Sequence, residues 1–83
     1  MPKRSELQVV YFPDSEWYAR DAARWMAEHR LKPIKYSHEH GNHRFRLKSP
    51  YLFSHFITKR TQSQGHTVYL VIGFREGAAG FIE

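Results

Sequence analysis

The stretch Ile34-Lys35-Tyr36-Ser37-His38-Glu39-His40-Gly41-Asn42-His43-Arg44-Phe45-Arg46-Leu47-Lys48-Ser49 decides how the chain is read. Two strand-like runs, 34–40 and 43–49, flank Gly41-Asn42, and a two-residue loop with glycine first suits a type II′ hairpin turn. That turn sets His40 opposite His43, then Glu39 against Arg44, His38 against Phe45, Ser37 against Arg46, Tyr36 against Leu47 and Lys35 against Lys48. Side chains alternate across a strand. Ile34, Tyr36, His38, Phe45 and Leu47 therefore share one face, and Lys35, Ser37, Glu39, Arg44, Arg46 and Lys48 the other. The hairpin is amphipathic, with an apolar side for a helix and a basic side for solvent.

Toward the N-terminus, Leu7 to Phe12 is a β-rich apolar run ended by Pro13, which reads as a strand. Asp14 and Ser15 then offer N-cap oxygens, Glu16 and Asp21 put negative charge early, and Arg24 to Arg30 put positive charge late, the signature of a helix. Tyr18, Ala22, Trp25, Met26 and His29 fall on one stripe of that helix, with Trp25 as its anchor. Pro33 is expected to close it, because the residue before proline is pushed out of the α region. Toward the C-terminus, Ser49-Pro50 reads as N-cap and first helical residue, and Leu52, Phe53, Phe56 and Ile57 follow at helical spacing. The run Phe56 to Thr61 also reads as a strand leading into a loop at 62–65. His66 to Phe74 is the clearest strand and is expected inside the sheet.

The expected fold class is thus α+β: a single small sheet with helices on one face. The order is β-α-β-β-α-β, that of a ferredoxin-like split βαβ sandwich, or β-α-β-β-β-β if the second helix gives way to a strand. Trp25, Tyr36, Phe45, Leu47, Leu70 and Ile72 are expected to form the core. Trp17, Tyr51 and Phe81 fall off the core stripes and are expected at the surface. One domain over 1–83 is expected, with loosely held ends at 1–6 and 76–83.

Length and composition bound what this fold can do. A chain of 83 residues buries only about 60% of the surface its unfolded form exposes, enough for one core and one main site. No cysteine is present, which excludes disulfide frameworks and thiolate zinc sites. The basic start lacks an apolar region behind it, and the longest apolar run, Val68 to Ile72, is far too short for a membrane span. An intracellular setting without membrane contact is the expectation.

The succession Val9-Val10-Tyr11-Phe12-Pro13-x-Ser15, Ala22-x-x-Trp25, Lys32-Pro33-Ile34-Lys35, Arg44-Phe45-Arg46 and Val71-Ile72-Gly73-Phe74 resembles small domains encoded by large DNA viruses and bacteriophages. The group carries no assigned activity. The resemblance implies a compact accessory domain of viral type, in the cytoplasm or nucleus of a host cell or in a virion, and points to no catalytic residue.

Charge gives the functional direction. Thirteen Lys and Arg against eight Asp and Glu leave +5, a balance that favours acidic partners such as nucleic acid. On the deduced register Lys35 directly opposes Lys48, and like charges in register weaken a sheet unless an anion sits between them. Phosphate suits that place, since arginine grips it bidentately. Lys35, Arg44, Arg46 and Lys48, with Lys32, Lys59 and Arg60 as extensions whose facing the pattern does not fix, are the candidate nucleic-acid or polyanion site. The plainer view of the same residues is a solvated surface held by a Glu39–Arg44 pair. The third-strand segment His43 to Lys48 lacks the glycine and aromatic spacing of an RNA-recognition domain.

His38, His40 and His43 are weak metal candidates, because the register brings two or three imidazoles together; no carboxylate joins them on that face, and no physiological metal is expected. No nucleophile elbow, phosphate-cradling glycine loop or paired-carboxylate segment is present, so neither an enzyme nor a cofactor is expected. The competing function is that of a viral or phage accessory module for protein–protein interaction, docking on an acidic protein surface or adding a strand to a partner sheet.

Overall fold

The computed structural model describes residues 5–75. The element order is β1 (Ser5–Pro13), α1 (Ala19–Glu28), β2 (Lys35–Glu39), β3 (Asn42–Arg46), a 3-10 turn (Pro50–Leu52), β4 (His55–Ser63) and β5 (His66–Phe74). All the strands form one antiparallel sheet in the order β2-β3-β1-β5-β4. Among the described residues no helix is long and apolar enough to cross a membrane.

The second helix expected after Ser49 is replaced by that short turn and a strand. Ser49 does cap it, its Oγ accepting the Tyr51 N–H at 3.3 Å, but the helical geometry ends at Leu52. From His55 onward the chain pairs with β5 over nine residues in continuous register, His55 opposite Phe74 through to Ser63 opposite His66. β-Branched and aromatic side chains favour that ladder. The β2-β3-β1 half retains the split βαβ arrangement, with β3 inserted between β1 and β2, but among the described residues one sheet face has a single α-helix over it and the other has no α-helix.

The helix also begins and ends differently from the sequence expectation. Glu16 and Trp17 both donate their N–H to the Pro13 carbonyl, forming a turn, and α1 starts only at Ala19 with Tyr18 at its N-cap. Asp14 is not a cap, because its carboxylate is used by the hairpin: Oδ2 lies 2.9 Å from His38 Nε2. The C-terminus closes before Pro33. Arg30 takes a left-handed φ of 59°, its N–H donates to the Ala27 carbonyl, and the Leu31 N–H donates to the Met26 carbonyl. That pair of bonds is a Schellman closure, and it returns Leu31 to the core.

Phe12 is the centre of that core. It is fully buried, and the rings of Trp17, Trp25 and Phe45 stand edge-on around it at 5.0, 5.4 and 5.6 Å. Edge-to-face pairs of this kind add about 0.5–1.5 kcal/mol each beyond burial. Val10, Ala22, Met26 and Val68 complete the buried cluster, with Leu7, Leu47 and Leu70 packed against it. Trp25 and Phe45 are thus in the core as expected, but Tyr36 is exposed on the outer strand β2, and of the helix stripe Tyr18 and His29 are exposed. Trp17, expected at the surface, is 5% exposed. Its Nε1 donates to the Thr67 carbonyl at 2.9 Å while Glu16 Oε1 accepts the Thr67 N–H at 2.7 Å, so the turn before α1 holds both backbone groups at the start of β5. Tyr51 is exposed as expected; Phe81 and the tail 76–83 lie outside the described residues. Ser5 and Glu6, expected to be loosely held, are paired with Phe74 and Gly73 in the sheet.

Candidate functional site

The hairpin that carries the candidate residues turns at His40-Gly41, with φ of 54° and 77°, and not at Gly41-Asn42. Two successive positive φ values make a type I′ turn, whose twist matches the flanking strands; glycine takes the second position freely, and histidine is among the side chains that tolerate the first. Asn42 Nδ2 donates to the His40 carbonyl at 3.2 Å. The pairs are therefore Lys35–Arg46, Tyr36–Phe45, Ser37–Arg44, His38–His43 and Glu39–Asn42. This register is displaced by two residues from the expected one. Because the displacement is even, every side chain keeps its face.

The basic face is consequently real but differently composed. Lys35 faces Arg46, not Lys48, so the expected Lys35–Lys48 opposition does not form. Lys48 lies beyond β3 and reaches Glu6 at 3.2 Å, which Arg75 also grips through Nε at 2.6 Å. The Arg75 hydrogen bond, helped by Lys48, holds the Glu6 carboxyl below its ordinary value. Lys32 is in the exposed segment between α1 and β2, off the sheet. The expected Glu39–Arg44 pair is also absent: Glu39 accepts from Ser37 Oγ at 2.9 Å, and Arg44 Nε donates to Tyr11 Oη at 3.1 Å.

Following the ladders across the sheet extends this face over all five strands. One row runs Ser37, Arg44, Tyr11, Tyr69, Arg60; the neighbouring row runs Lys35, Arg46, Val9, Val71, Thr58. Alternation puts both rows on the side away from α1, since Val10, Phe45 and Val68 point to the helix. In the Arg44–Arg60 row Tyr11 and Tyr69 are partly exposed, whereas Val9 in the neighbouring row is buried. The Arg44 guanidinium also stands 5.8 Å from the centre of the Tyr11 ring. Beside these residues a shallow depression of about 590 Å³ is lined by Tyr11, Glu39, His40, Asn42 and Arg44.

Four cations, Lys35, Arg44, Arg46 and Arg60, share the face, and none of them forms an ion pair among the described residues. The Arg46 Nε is buried without a hydrogen-bond partner. Lys59, opposite Leu70, is on the helix side. The sequence names Lys35, Arg44 and Arg46 for this face and Arg60 as an extension whose facing it leaves open, and it does not single out Tyr11 or Tyr69. Their facing depends on how β1, β5 and β4 pair, which the local pattern does not carry.

The histidines do not converge as metal ligands. His43 is buried, its Nε2 donating to the Trp17 carbonyl at 3.0 Å and its Nδ1 accepting from Tyr36 Oη at 2.8 Å, so both ring nitrogens are engaged. His38 stacks on His43 at 4.5 Å and turns its Nε2 to Asp14. His40 sits on the turn with its side chain 90% exposed. Among the described residues no group of three potential ligands gathers.

No family model matches the chain, and neither a curated protein nor a solved structure matches it.

Proposed function

We propose that this protein is a small basic binding module that holds the phosphate backbone of nucleic acid on the sheet face away from α1. The observation that carries this reading is the set Lys35, Arg44, Arg46 and Arg60, drawn from three strands onto one surface without carboxylate partners among the described residues. A carboxylate-paired arginine is already satisfied; an unpaired guanidinium on an ordered strand is a bidentate donor ready for phosphate. Lys48, satisfied by Glu6, plays no part in this surface.

Titration of a labelled oligonucleotide against salt tests the proposal. If each of the four cations neutralises one phosphate, the slope of log affinity against log salt is about −2.8 on a single strand, four times about −0.7. Affinity then falls about 50-fold between 50 and 200 mM salt. Arg44→Glu and Arg46→Glu should each weaken binding to all sequences alike, because phosphate contacts position without reading bases. Lys48→Glu should leave affinity unchanged. Loss of binding in Lys48→Glu alone would overturn the assignment of the surface, and failure of the wild type to bind at low salt would overturn nucleic acid as the partner. The second reading, an accessory protein–protein module of viral or phage type, is favoured by the exposed Leu52, Phe56 and Ile57 beside and along the outer strand β4. It becomes the better one in that last case.

A further inference from the structure

The same face carries two aromatic rings at its middle, and their placement says more than charge does. Tyr11 on β1 and Tyr69 on β5 are direct cross-strand partners, both partly exposed, flanked by Arg44 on one side and Arg60 on the other. Arg44 to Arg60 spans three strand spacings, about 14 Å. Resting on the proposed nucleic-acid function, we infer that the ligand is single-stranded nucleic acid, with neighbouring bases stacked on Tyr11 and Tyr69 and their phosphates held by Arg44, Arg46 and Arg60.

Three physical points lead there. A duplex keeps its base faces inside its own stack, so exposed tyrosine rings contribute nothing to its binding, whereas every unpaired base offers a π-face to an aromatic side chain. The Cβ atoms of directly opposed strand residues stand about 4.5–5.5 Å apart. That exceeds the rise of about 3.4 Å per nucleotide in a stacked duplex strand and suits an extended strand whose bases have separated. Finally, the Arg44 bond to Tyr11 Oη fixes one guanidinium beside one ring, so a phosphate site and a stacking site arrive as a unit on the rigid centre of the sheet. The rings belong to β1 and β5, and the third-strand segment His43 to Lys48 supplies none of the glycine and aromatic spacing of an RNA-recognition domain.

The test compares a fluorescein-labelled oligo(dT) and oligo(U) with a duplex of the same length, by anisotropy at fixed salt, for the wild type and for Tyr11→Leu, Tyr69→Leu, Tyr69→Phe and Arg44→Glu. Thermal melts of each variant establish that it is folded. Each leucine variant should lose about five- to 150-fold in affinity for the single strand, the range for one stacked base, with duplex affinity unchanged. Tyr69→Phe, which keeps the ring, should bind the single strand as the wild type does. Equal wild-type affinity for single strand and duplex, or leucine variants that bind oligo(dT) and oligo(U) as tightly as the wild type, would overturn the stacking inference. If Arg44→Glu still abolished binding in that case, the phosphate-holding function would survive without it; wild type that binds neither form would remove both.

Discussion

Replacing Trp17 with phenylalanine probes the joint that sets β5 beside β1. The smaller ring can still meet Phe12 edge-on, but the Thr67 carbonyl loses the donor that Trp17 Nε1 provides at 2.9 Å. Thr67 is 6% exposed, so water does not replace that donor. Leaving a buried acceptor unsatisfied costs about 1–3 kcal/mol, and the void left by the lost ring adds about 1 kcal/mol. A loss of about 2–4 kcal/mol follows, from a total that for 83 residues is about 4–12 kcal/mol at about 0.05–0.15 per residue. The melting temperature should drop by roughly 8–30 °C, at about 4–8 °C per kcal/mol for a domain of this size. The assay is urea and thermal unfolding followed by far-UV circular dichroism, with Tyr51→Phe, whose residue is 95% exposed, as the control. If Trp17→Phe and Tyr51→Phe unfolded at the same midpoint, the indole would not be the buried, bonded anchor described, and the seating of the Pro13–Trp17 turn on β5 would be wrong.

Two further outcomes test the packing at the other end of the sheet. A Cβ added at Gly73 would clash with the Phe53 ring, so Gly73→Ala should displace Phe53 and cost about 1–3 kcal/mol in the same unfolding assay, whereas a neutral substitution would place Phe53 elsewhere. Glu6 titrates below its ordinary value in the folded state because of Arg75, so the folded protein binds fewer protons there than the unfolded chain. Its contribution to stability is therefore present above the ordinary carboxylate value of 4.5 and is lost as pH falls through the lowered one. Melting temperatures of Glu6→Gln and wild type should converge on acidification below that value, and a difference that stays constant down the pH scale would refute the Glu6–Arg75 coupling.

The hairpin shows which kind of information a local pattern holds. Alternation gave the facing of Lys35, Arg44 and Arg46 correctly because parity survives a two-residue displacement, while the register itself hinged on whether Gly41 is the first or second residue of the turn. Either choice leaves a two-residue loop with a glycine in it. Trp17 was unreadable for a different reason: it lies on a turn, where neither a helical stripe nor a strand alternation assigns a side, and only the distant Thr67 fixes it. For the segment after Ser49, the capping serine and proline are local signals and both operate, but the ladder with β5 is a nonlocal gain that the local spacing does not contain. Tyr11, Tyr69 and Arg60 were visible as residues of the right type for a binding surface, yet three separate strand pairings are needed to bring them into one row.

The register of β1 against β5 shifts between Leu7 and Val9, so that Gln8 is an extra residue in the strand. Its carbonyl accepts from the Leu47 N–H at 2.8 Å, and its side-chain Nε2 donates to the Lys48 carbonyl at 2.8 Å, tying the bulge to the chain leaving β3. Leu7 and Val10 consequently both face the helix, although strict alternation over three residues would separate them. β1 thus has one position where its length is decoupled from its sidedness. A residue inserted or removed between Val9 and Phe12 would exchange Phe12 and Tyr11 across the sheet, sending a core ring to solvent and a surface ring into the core. A residue removed at Gln8 would restore plain alternation and leave every other side chain of the strand on its present side. The bulge is the one joint in the central strand at which chain length can vary without inverting the relation between the core and the proposed binding surface.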